Sequence, residues 1–200
     1  MSLLGDGARL VDAADGAELA GADLRSRVGA LAAEVAALPV GVVFARTAVD
    51  VPSVLRYLAA FTSDRPVALL DAGQDDDVLL ALVAAFRPAA VLGAAGVAPE
   101  GYRTAEVGGP AWVRESVDGV SPHPDLAVLL PTSGSTGNPK FVRLSKAAVL
   151  SNAEAIADVL GVDAAEVAPT SLPLHYSYGL SVLNSHLISG ATVVVEATGV

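Results

Sequence analysis

Cysteine is absent from this 200-residue sequence, which excludes disulfides, thiolate metal sites and a cysteine nucleophile. Any catalysis must therefore depend on other side chains. Basic residues are also scarce, because 12 lysines and arginines stand against 22 acidic residues and give a formal net charge of −10. Such a charge repels a phosphate backbone except at a local basic patch, so we do not expect nucleic acid as a partner.

Long apolar runs are missing, although hydrophobic residues make up 52% of the sequence. The most apolar stretch, 78–86, is followed by Arg87 and Pro88 and is much shorter than the roughly 20 residues that span a bilayer. The N-terminal residues lack the charged, apolar and small regions of a secretory signal. We therefore predict no membrane span and expect the protein in the cytoplasm.

Short β-branched runs alternate with helix-like segments from Gly41 onward. This repetition predicts an α/β fold with a largely parallel sheet flanked by helices. The predicted elements are strand 41–45, helix 51–61 with Asp50 as N-cap, strand 67–70, helix 75–86, strand 89–92, a hairpin within 102–117, strands 126–130 and 141–144, helix 146–160, and a strand-helix-strand unit ending at 195. The proline-rich connector 121–124 predicts a boundary between an N-terminal subdomain, 1–120, and a second segment, 121–200.

Three consecutive acids, Asp75, Asp76 and Asp77, precede one of the predicted helices. A metal site is one interpretation of such a cluster. Capping of the helix and attraction to its positive N-terminus explain the same pattern with fewer assumptions. We favour the cap and predict no metal site within the chain.

A loop rich in hydroxyl groups separates the strands predicted at 126–130 and 141–144. Its glycines can turn backbone N–H groups toward an anion, its hydroxyls can donate hydrogen bonds, and its lysine supplies positive charge. Such a loop suits a polyphosphate, although a simple Ser/Gly turn between hairpin strands is the alternative. The complete pattern is more specific than a lone glycine motif. It reads Pro131, Thr132, Ser133, Gly134, Ser135, Thr136, Gly137, Asn138, Pro139 and Lys140.

The stretch 132–140 closely resembles the Thr-Ser-Gly-Ser/Thr-Thr-Gly-x-Pro-Lys signature of the adenylate-forming superfamily, which includes acyl-CoA synthetases, luciferases and peptide-synthetase adenylation domains. The resemblance covers 126–195 and is greatest to the acyl-CoA synthetases. It implies that the loop grips the β- and γ-phosphates of MgATP while a substrate carboxylate attacks the α-phosphate. The products are an acyl-adenylate and pyrophosphate, and a thiol of coenzyme A or of a carrier protein then takes the acyl group.

Matching this signature residue by residue implies a set of phosphate-binding residues. They are Thr132, Ser133, Gly134, Ser135, Thr136, Gly137 and Lys140. Phe141 departs from the pattern, because the family usually has glycine after the lysine. Arg143 and Lys146 follow the loop and would add positive potential near a phosphate, although alternation along a strand equally allows Arg143 to face solvent.

The segment 172–180 resembles the family's second signature, in which a proline-led strand ends in histidine before a helix. The resemblance implies that His175 lies beside the reacting carboxylate as a catalytic residue, with Tyr176, Tyr178 and Gly179 in the acyl pocket. Two residues rather than one separate His175 from Tyr178, so Tyr176 is an alternative for the pocket position. Packing of these rings at a strand-to-helix corner is a further alternative.

The segment 172–180 also indicates which class of acid the protein activates. Relatives that activate amino acids usually carry Phe-Asp here, where the aspartate pairs with the substrate ammonium. Tyr176 and Ser177 stand in those positions. This difference favours a plain carboxylic acid, such as a fatty or aryl acid.

Several parts of the family pattern have no match in this sequence. These are the segments for adenine and magnesium and for ribose, and the small C-terminal domain with its catalytic lysine. We therefore expect an N-terminal fragment that is inactive alone, with most Mg²⁺ ligands elsewhere, and that self-associates through exposed apolar surface. The alternative is a noncatalytic nucleotide- or anion-binding module, or a scaffold piece.

Overall fold

A computed structural model describes residues 2–132 and 140–197 of the protein. None of the helices within these ranges is long and apolar enough to cross a membrane. The strands and helices are β1 (Arg9–Asp12), β2 (Glu18–Ala20), α1 (Gly21–Ala36), β3 (Val43–Thr47), α2 (Val51–Thr62), β4 (Val67–Asp71), α3 (Asp76–Phe86), β5 (Ala90–Leu92), β6 (Tyr102–Glu106), β7 (Pro110–Arg114), β8 (Leu126–Pro131), β9 (Phe141–Ser145), α4 (Lys146–Leu160), β10 (Val167–Thr170), α5 (Ser177–Ile188) and β11 (Thr192–Val195).

The larger sheet has the strand order β6-β7-β5-β3-β4-β8-β9. Its central strands β5, β3, β4 and β8 are parallel to their neighbours in this set. Antiparallel pairs close both edges, one formed by the hairpin β6–β7 and the other by β8 and β9. This arrangement confirms the predicted α/β fold with a largely parallel sheet and helices around it.

A smaller sheet with the order β10-β11-β1-β2 joins the two ends of the described chain. β1 pairs in parallel with β11, so that Arg9 lies opposite Thr192 and Asp12 opposite Val195. The sequence predicted no helix or strand before Gly41. The elements β1, β2 and α1 were therefore missed. The division into 1–120 and 121–200 stays a prediction, and each sheet contains strands from both parts.

Alternation along the parallel strands creates two cores on opposite faces of the larger sheet. In β3, Val43 and Ala45 face a large core that also contains residues of the smaller sheet, such as Val193. Phe44 faces a second, smaller core against α3. Helix α2 is buried along most of its length, because it packs on the larger sheet, on α1 and on β1.

Helix ends follow the local sequence at two of the predicted helices. The Asp50 carboxylate accepts a 2.7 Å hydrogen bond from the Ser53 backbone N–H, which confirms Asp50 as the N-cap of α2. Helix α4 spans the predicted 146–160; the Ser145 hydroxyl accepts from the Ala148 N–H at its start, and Gly161 at φ 67° closes its end.

The acids before α3 act differently from the predicted cap. Asp75 occupies the N-cap position, but its side chain makes no capping hydrogen bond. Asp76 and Asp77 lie inside the first turn, where their charge complements the helix dipole. Asp76 also approaches Arg46 of β3, with 3.7 Å between carboxylate and guanidinium.

Candidate active site

Several parallel strands of the larger sheet end at one edge, and polar side chains collect there. Thr47 is the last residue of β3, Asp71 is the last of β4, and Thr132 directly follows β8. His175, from the turn before α5, lies at the same edge, where it contacts both Thr47 and Asp71. Ligand sites of open α/β sheets lie at the carboxyl ends of the strands, so this edge is the candidate active site.

The His175 ring lies between these two strand ends. Its Nδ1 is 3.5 Å from the Thr47 hydroxyl oxygen, and its Nε2 is 4.0 Å from a carboxylate oxygen of Asp71. Thr47 donates its own hydrogen to the Leu70 carbonyl at 2.9 Å, so its oxygen is left to accept from the ring. The ring therefore faces Thr47 with Nδ1 and the Asp71 carboxylate with Nε2.

Burial sets the charge of this ring. The His175 side chain is 11% exposed, and desolvation lowers its pKa below the usual 6.5, with the Asp71 carboxylate opposing the shift. The neutral imidazole is therefore the dominant form near pH 7. A second negative charge beside the ring would favour the protonated form.

The predicted phosphate loop starts and ends on paired strands. Pro131 of β8 lies opposite Phe141 of β9, and the Thr132 N–H donates to the Lys140 carbonyl at 3.0 Å. The Thr132 hydroxyl is 3.3 Å from the same carbonyl. The predicted residues Ser133, Gly134, Ser135, Thr136 and Gly137 lie outside the described residues. The loop thus closes on an antiparallel pair, with the Lys140 side chain exposed at its base.

The residues predicted for the acyl pocket have different environments. Tyr176 is 62% exposed, and its ring lies 5.7 Å from that of His175. Tyr178 is 68% exposed and does not line the cavity beside His175. Gly179 is buried in the first turn of α5, where a Cβ would lie 2.5 Å from the Pro173 carbonyl oxygen. Gly179 therefore permits a close backbone approach, whereas Tyr176 borders the open space.

Two adjoining cavities extend from the strand ends. The first, of about 390 Å³, is lined by residues that include Thr132, His175 and Tyr176. The second, of about 420 Å³, lies between α4 and α5. Both cavities are lined by Leu130, Leu144 and Ser177, so they adjoin, and together they are called the cleft. The cleft connects the start of the phosphate loop with the helix that follows His175.

The basic residues after the loop have different roles. Lys146 forms an ion pair with Asp64, donates to the Phe61 carbonyl at 3.2 Å and lies over the Phe61 ring. Its charge is therefore used in packing α4 against α2. Arg143 is exposed on β9.

Sequence analysis did not identify Thr47 or Asp71 as part of the site. Both are polar residues at or just beyond the end of a predicted parallel strand, which is the signal by which they could have been found. Their contact with His175, more than a hundred positions away in sequence, requires the assembled fold.

Solved structures share this fold over nearly the whole chain. Apo MatB from Rhodopseudomonas palustris superposes with a TM-score of 0.71 at 20% identity, covering 94% of this chain and 41% of MatB. The ATP-bound form of the same protein gives 0.69 at 20% identity, covering 92% and 41%. IdnL1 gives 0.74 at 20% identity, covering 96% and 41%. The chain thus spans about two fifths of the length of these proteins.

Family membership comes from the sequence itself. Residues 59–199, more than half of the chain, match the family described as AMP-binding enzyme. The matched range contains the phosphate loop, His175 and both helices of the cleft. The chain belongs to the AMP-binding enzyme family.

Proposed function

We propose that this chain is the N-terminal part of an ATP-dependent ligase that activates a carboxylic acid as its acyl-adenylate and transfers the acyl group to a thiol. The acid is one without an α-ammonium group, such as a fatty or aryl acid. The thiol belongs to coenzyme A or to a carrier protein. Family membership and the ATP-bound MatB among the similar structures support this proposal.

One observation carries the proposal. Thr132 at the start of the phosphate loop and His175 of the second signature line the same cavity of about 390 Å³. These residues come from segments separated by a strand, a helix and another strand. This shared cavity supports a site where the phosphates of ATP, held from the loop that begins at Thr132, and the carboxylate of the acid, held near His175, would meet.

The proposed reaction needs few groups from the protein. A carboxylate oxygen of the acid forms a bond to the α-phosphorus of ATP, the bond from that phosphorus to the bridging oxygen breaks, and pyrophosphate leaves with the electron pair. Positioning and charge stabilisation dominate such phosphoryl chemistry. Lys140 and the loop donors would hold the leaving phosphates.

His175 would position the acid. Its ring contacts Thr47 through Nδ1 and faces Asp71 with Nε2. A bound carboxylate would add to the influence of Asp71 and raise the pKa of His175. After proton uptake both ring nitrogens donate, so Nε2 would then donate a hydrogen bond toward the acid.

Magnesium has no matching site in the part of the chain that the structure describes. Within 2–132 and 140–197, no group of three or more His, Cys, Asp or Glu side chains comes together. We therefore derive no step through the metal. Its ligands are expected mostly outside this chain.

Exchange of labelled pyrophosphate into ATP tests the proposal. The chain and the product of its complete reading frame would be assayed with a panel of carboxylic acids. We expect exchange in the longer protein, and a loss of about tenfold to hundredfold with Lys140→Ala, because hydrogen bonds to charged groups contribute roughly 1.5 to 3 kcal/mol. Arg103→Ala is the matched control, since it removes a positive charge from an exposed position on β6, at the opposite edge of the larger sheet.

The same assay separates the proposal from its alternative. A noncatalytic nucleotide- or anion-binding module would show no exchange in either protein. Exchange that is equally strong with and without Lys140 would leave the phosphate assignment wrong.

Self-association and a cytoplasmic location remain parts of the proposal. Phe86 is 48% exposed beside Phe44 and Phe141, and the three rings border an apolar cavity of about 560 Å³. Exposed apolar surface of this kind favours association. A strictly monomeric species in light scattering would contradict it.

A further inference from the structure

The cavity of about 560 Å³ beside Phe86 lies on the face of the larger sheet that packs against α3, and we call it the α3-side cavity. Alternation along β8 and β9 separates it from the candidate active site. Leu129 and Phe141 line the α3-side cavity, whereas their neighbours Leu130 and Val142 line the cleft. The same two strands therefore form one wall of each space, and the α3-side cavity is not part of the cleft.

Three aromatic rings border the α3-side cavity and contact one another. The Phe86 ring meets the Phe141 ring edge-on at 5.4 Å between centroids, and it meets the Phe44 ring in the same way at 6.2 Å. The Phe44 and Phe141 rings are also 6.2 Å apart. Phe86 nevertheless keeps about half of its surface exposed at the end of α3. An exposed aromatic ring on an apolar cavity is typical of a surface that binds a ligand or partner.

The walls of this cavity are held in place by Arg114, which is buried at the end of β7. Its guanidinium donates to the carbonyl oxygens of Val40 and Arg87 at 2.6 and 2.7 Å. A third hydrogen bond goes to the Ser116 carbonyl at 3.1 Å. The segment after β7 passes so close that a Cβ on Gly119 would lie 2.5 Å from the guanidinium. The fold itself therefore fixes these walls, and small-molecule sites are usually formed in advance in this way.

The lining of the cavity carries an excess of positive charge. Its charged residues are Arg87, Arg114 and Asp118. Neither arginine forms an ion pair with an acid among residues 2–132 and 140–197. The hydrogen bonds of Arg114 go to neutral carbonyl groups, so they leave its charge uncompensated. In a chain with a net charge of −10, this local excess favours an anion over a cation.

We propose that the α3-side cavity is a second ligand site, which binds a small carboxylate with an aryl or short hydrocarbon body. The rings of Phe44, Phe86 and Phe141 would enclose the body, and the two arginines would attract the carboxylate. The volume of about 560 Å³ lies within the roughly 300 to 1,000 Å³ of small-molecule sites. The inference does not depend on the proposed function, because the cleft lies on the other face of β8 and β9.

Probes that differ only in their head group test the charge preference. Isothermal titration calorimetry of the chain would compare phenylbutanoate with phenylbutanol and phenylbutylammonium. We expect the carboxylate to bind about threefold to fivefold more tightly than the alcohol, because ion pairs open to solvent contribute little. The ammonium compound should bind more weakly than either, and high salt should narrow both differences. Equal affinity for the three compounds would overturn the inference.

Isotope-labelled phenylalanine locates the bound ligand. The chain contains four phenylalanines, of which three border the α3-side cavity. The fourth, Phe61, lies in the other core beside Tyr57 and is an internal reference. NMR spectra should show shifts for Phe44, Phe86 and Phe141 when phenylbutanoate is added, and none for Phe61. Shifts at Phe61 alone, or at no phenylalanine, would contradict the proposed site.

Charge reversal at Arg87 tests the role of the positive charge. Arg87→Glu should make phenylbutylammonium bind more tightly than phenylbutanoate, because the charge in the lining then changes sign. Arg87 is exposed, so the change leaves the buried core intact. Arg27→Glu, at an exposed position on α1 that does not line the cavity, is the matched control and should keep the original order. An unchanged order in Arg87→Glu would overturn the inference.

Two further variants separate this cavity from the cleft. Phe86→Asp introduces a carboxylate into the aromatic wall and should weaken phenylbutanoate binding at least tenfold. His175→Asn changes only the cleft and should leave the binding unchanged. The reverse result, with binding lost in His175→Asn and retained in Phe86→Asp, would place the acid in the cleft and overturn the inference.

Two other occupants of the cavity are outcomes of the same measurements. If the product of the complete reading frame does not bind phenylbutanoate although the chain does, another segment fills the cavity and the inference is wrong. If binding falls as the protein concentration rises and light scattering shows a dimer, a second copy covers the cavity and the inference is again wrong. Binding by both proteins with shifts at the three rings supports it. Pyrophosphate exchange plays no part in this test, so the proposed function can fail independently.

Discussion

The Thr47 hydroxyl oxygen lies 3.5 Å from Nδ1 of His175 and thereby joins the end of β3 to the turn before α5. Thr47 is 1% exposed and also donates to the Leu70 carbonyl of the neighbouring strand. One hydroxyl therefore connects two strands of the larger sheet with the candidate catalytic residue. The orientation of the ring depends on the packing of the sheet beneath it.

Thr47→Val removes this hydroxyl and nearly preserves the shape of the side chain. We expect the free energy of unfolding to fall by about 1 kcal/mol, because the Leu70 carbonyl loses its donor in a buried position. Urea denaturation of the chain measures the change. Thr104→Val, at an exposed position on β6, is the matched control, and an equal loss in both variants would contradict the role of Thr47.

Asp71→Asn should lower the pKa of His175 further. The Asp71 carboxylate raises that pKa against the larger effect of burial, so its neutralisation leaves desolvation unopposed. Titration of the His175 ring protons by NMR measures the shift. Asp158→Asn on the exposed side of α4 serves as control, and an unchanged His175 pKa in Asp71→Asn would show that the two groups do not interact.

Titration of His175 should make the stability of the folded protein depend on pH. Its pKa in the folded protein lies below the usual 6.5, so the unfolded chain takes up a proton at a higher pH than the folded chain. The stabilisation is present above pH 6.5 and is lost as the pH falls through 6.5 toward the folded value. Thermal unfolding at several pH values should show a smaller acid-side loss in His175→Asn. Parallel curves for the two proteins would refute this assignment.

Gly179→Ala should destabilise the start of α5. A Cβ at this position would lie 2.5 Å from the Pro173 carbonyl oxygen and 2.7 Å from that of Leu172, and neither backbone group can move freely. We expect a loss of about 1 to 3 kcal/mol in the free energy of unfolding. Gly29→Ala on α1 is the matched control, because a Cβ there meets nothing within 4 Å, and helix propensity predicts a gain of up to about 1 kcal/mol.

Local signals in the sequence account for much of the larger sheet and its helices. Asp50 marks the start of α2, helical periodicity marks α4, and β-branched runs mark the parallel strands, so these elements were predicted close to their observed bounds. Strand β1 has only four residues and is paired with β11 from the opposite end of the described chain. The local sequence does not predict such a strand, because its stability comes from a partner that is distant in sequence.

The candidate site also contains residues that the sequence predicts and residues that only the fold identifies. The loop 132–140 and the segment around His175 have recognisable patterns, whereas the position of Thr132 and His175 in one cavity follows from the fold. Asp71 and Thr47 come to His175 only in the assembled fold, and the same holds for the hydrogen bond from Tyr57 to Asn184. Sequence spacing contains no information about these contacts.

The pairing of β11 between β10 and β1 has a consequence for synthesis on the ribosome. The hairpin of β1 and β2 is translated before β11, so one edge of β1 has no partner until β11 is made. An unpaired strand edge is a site of mispairing with other chains. This edge of β1 therefore stays without its partner while the residues between β2 and β11 are translated, and the nascent chain is open to mispairing there during that interval.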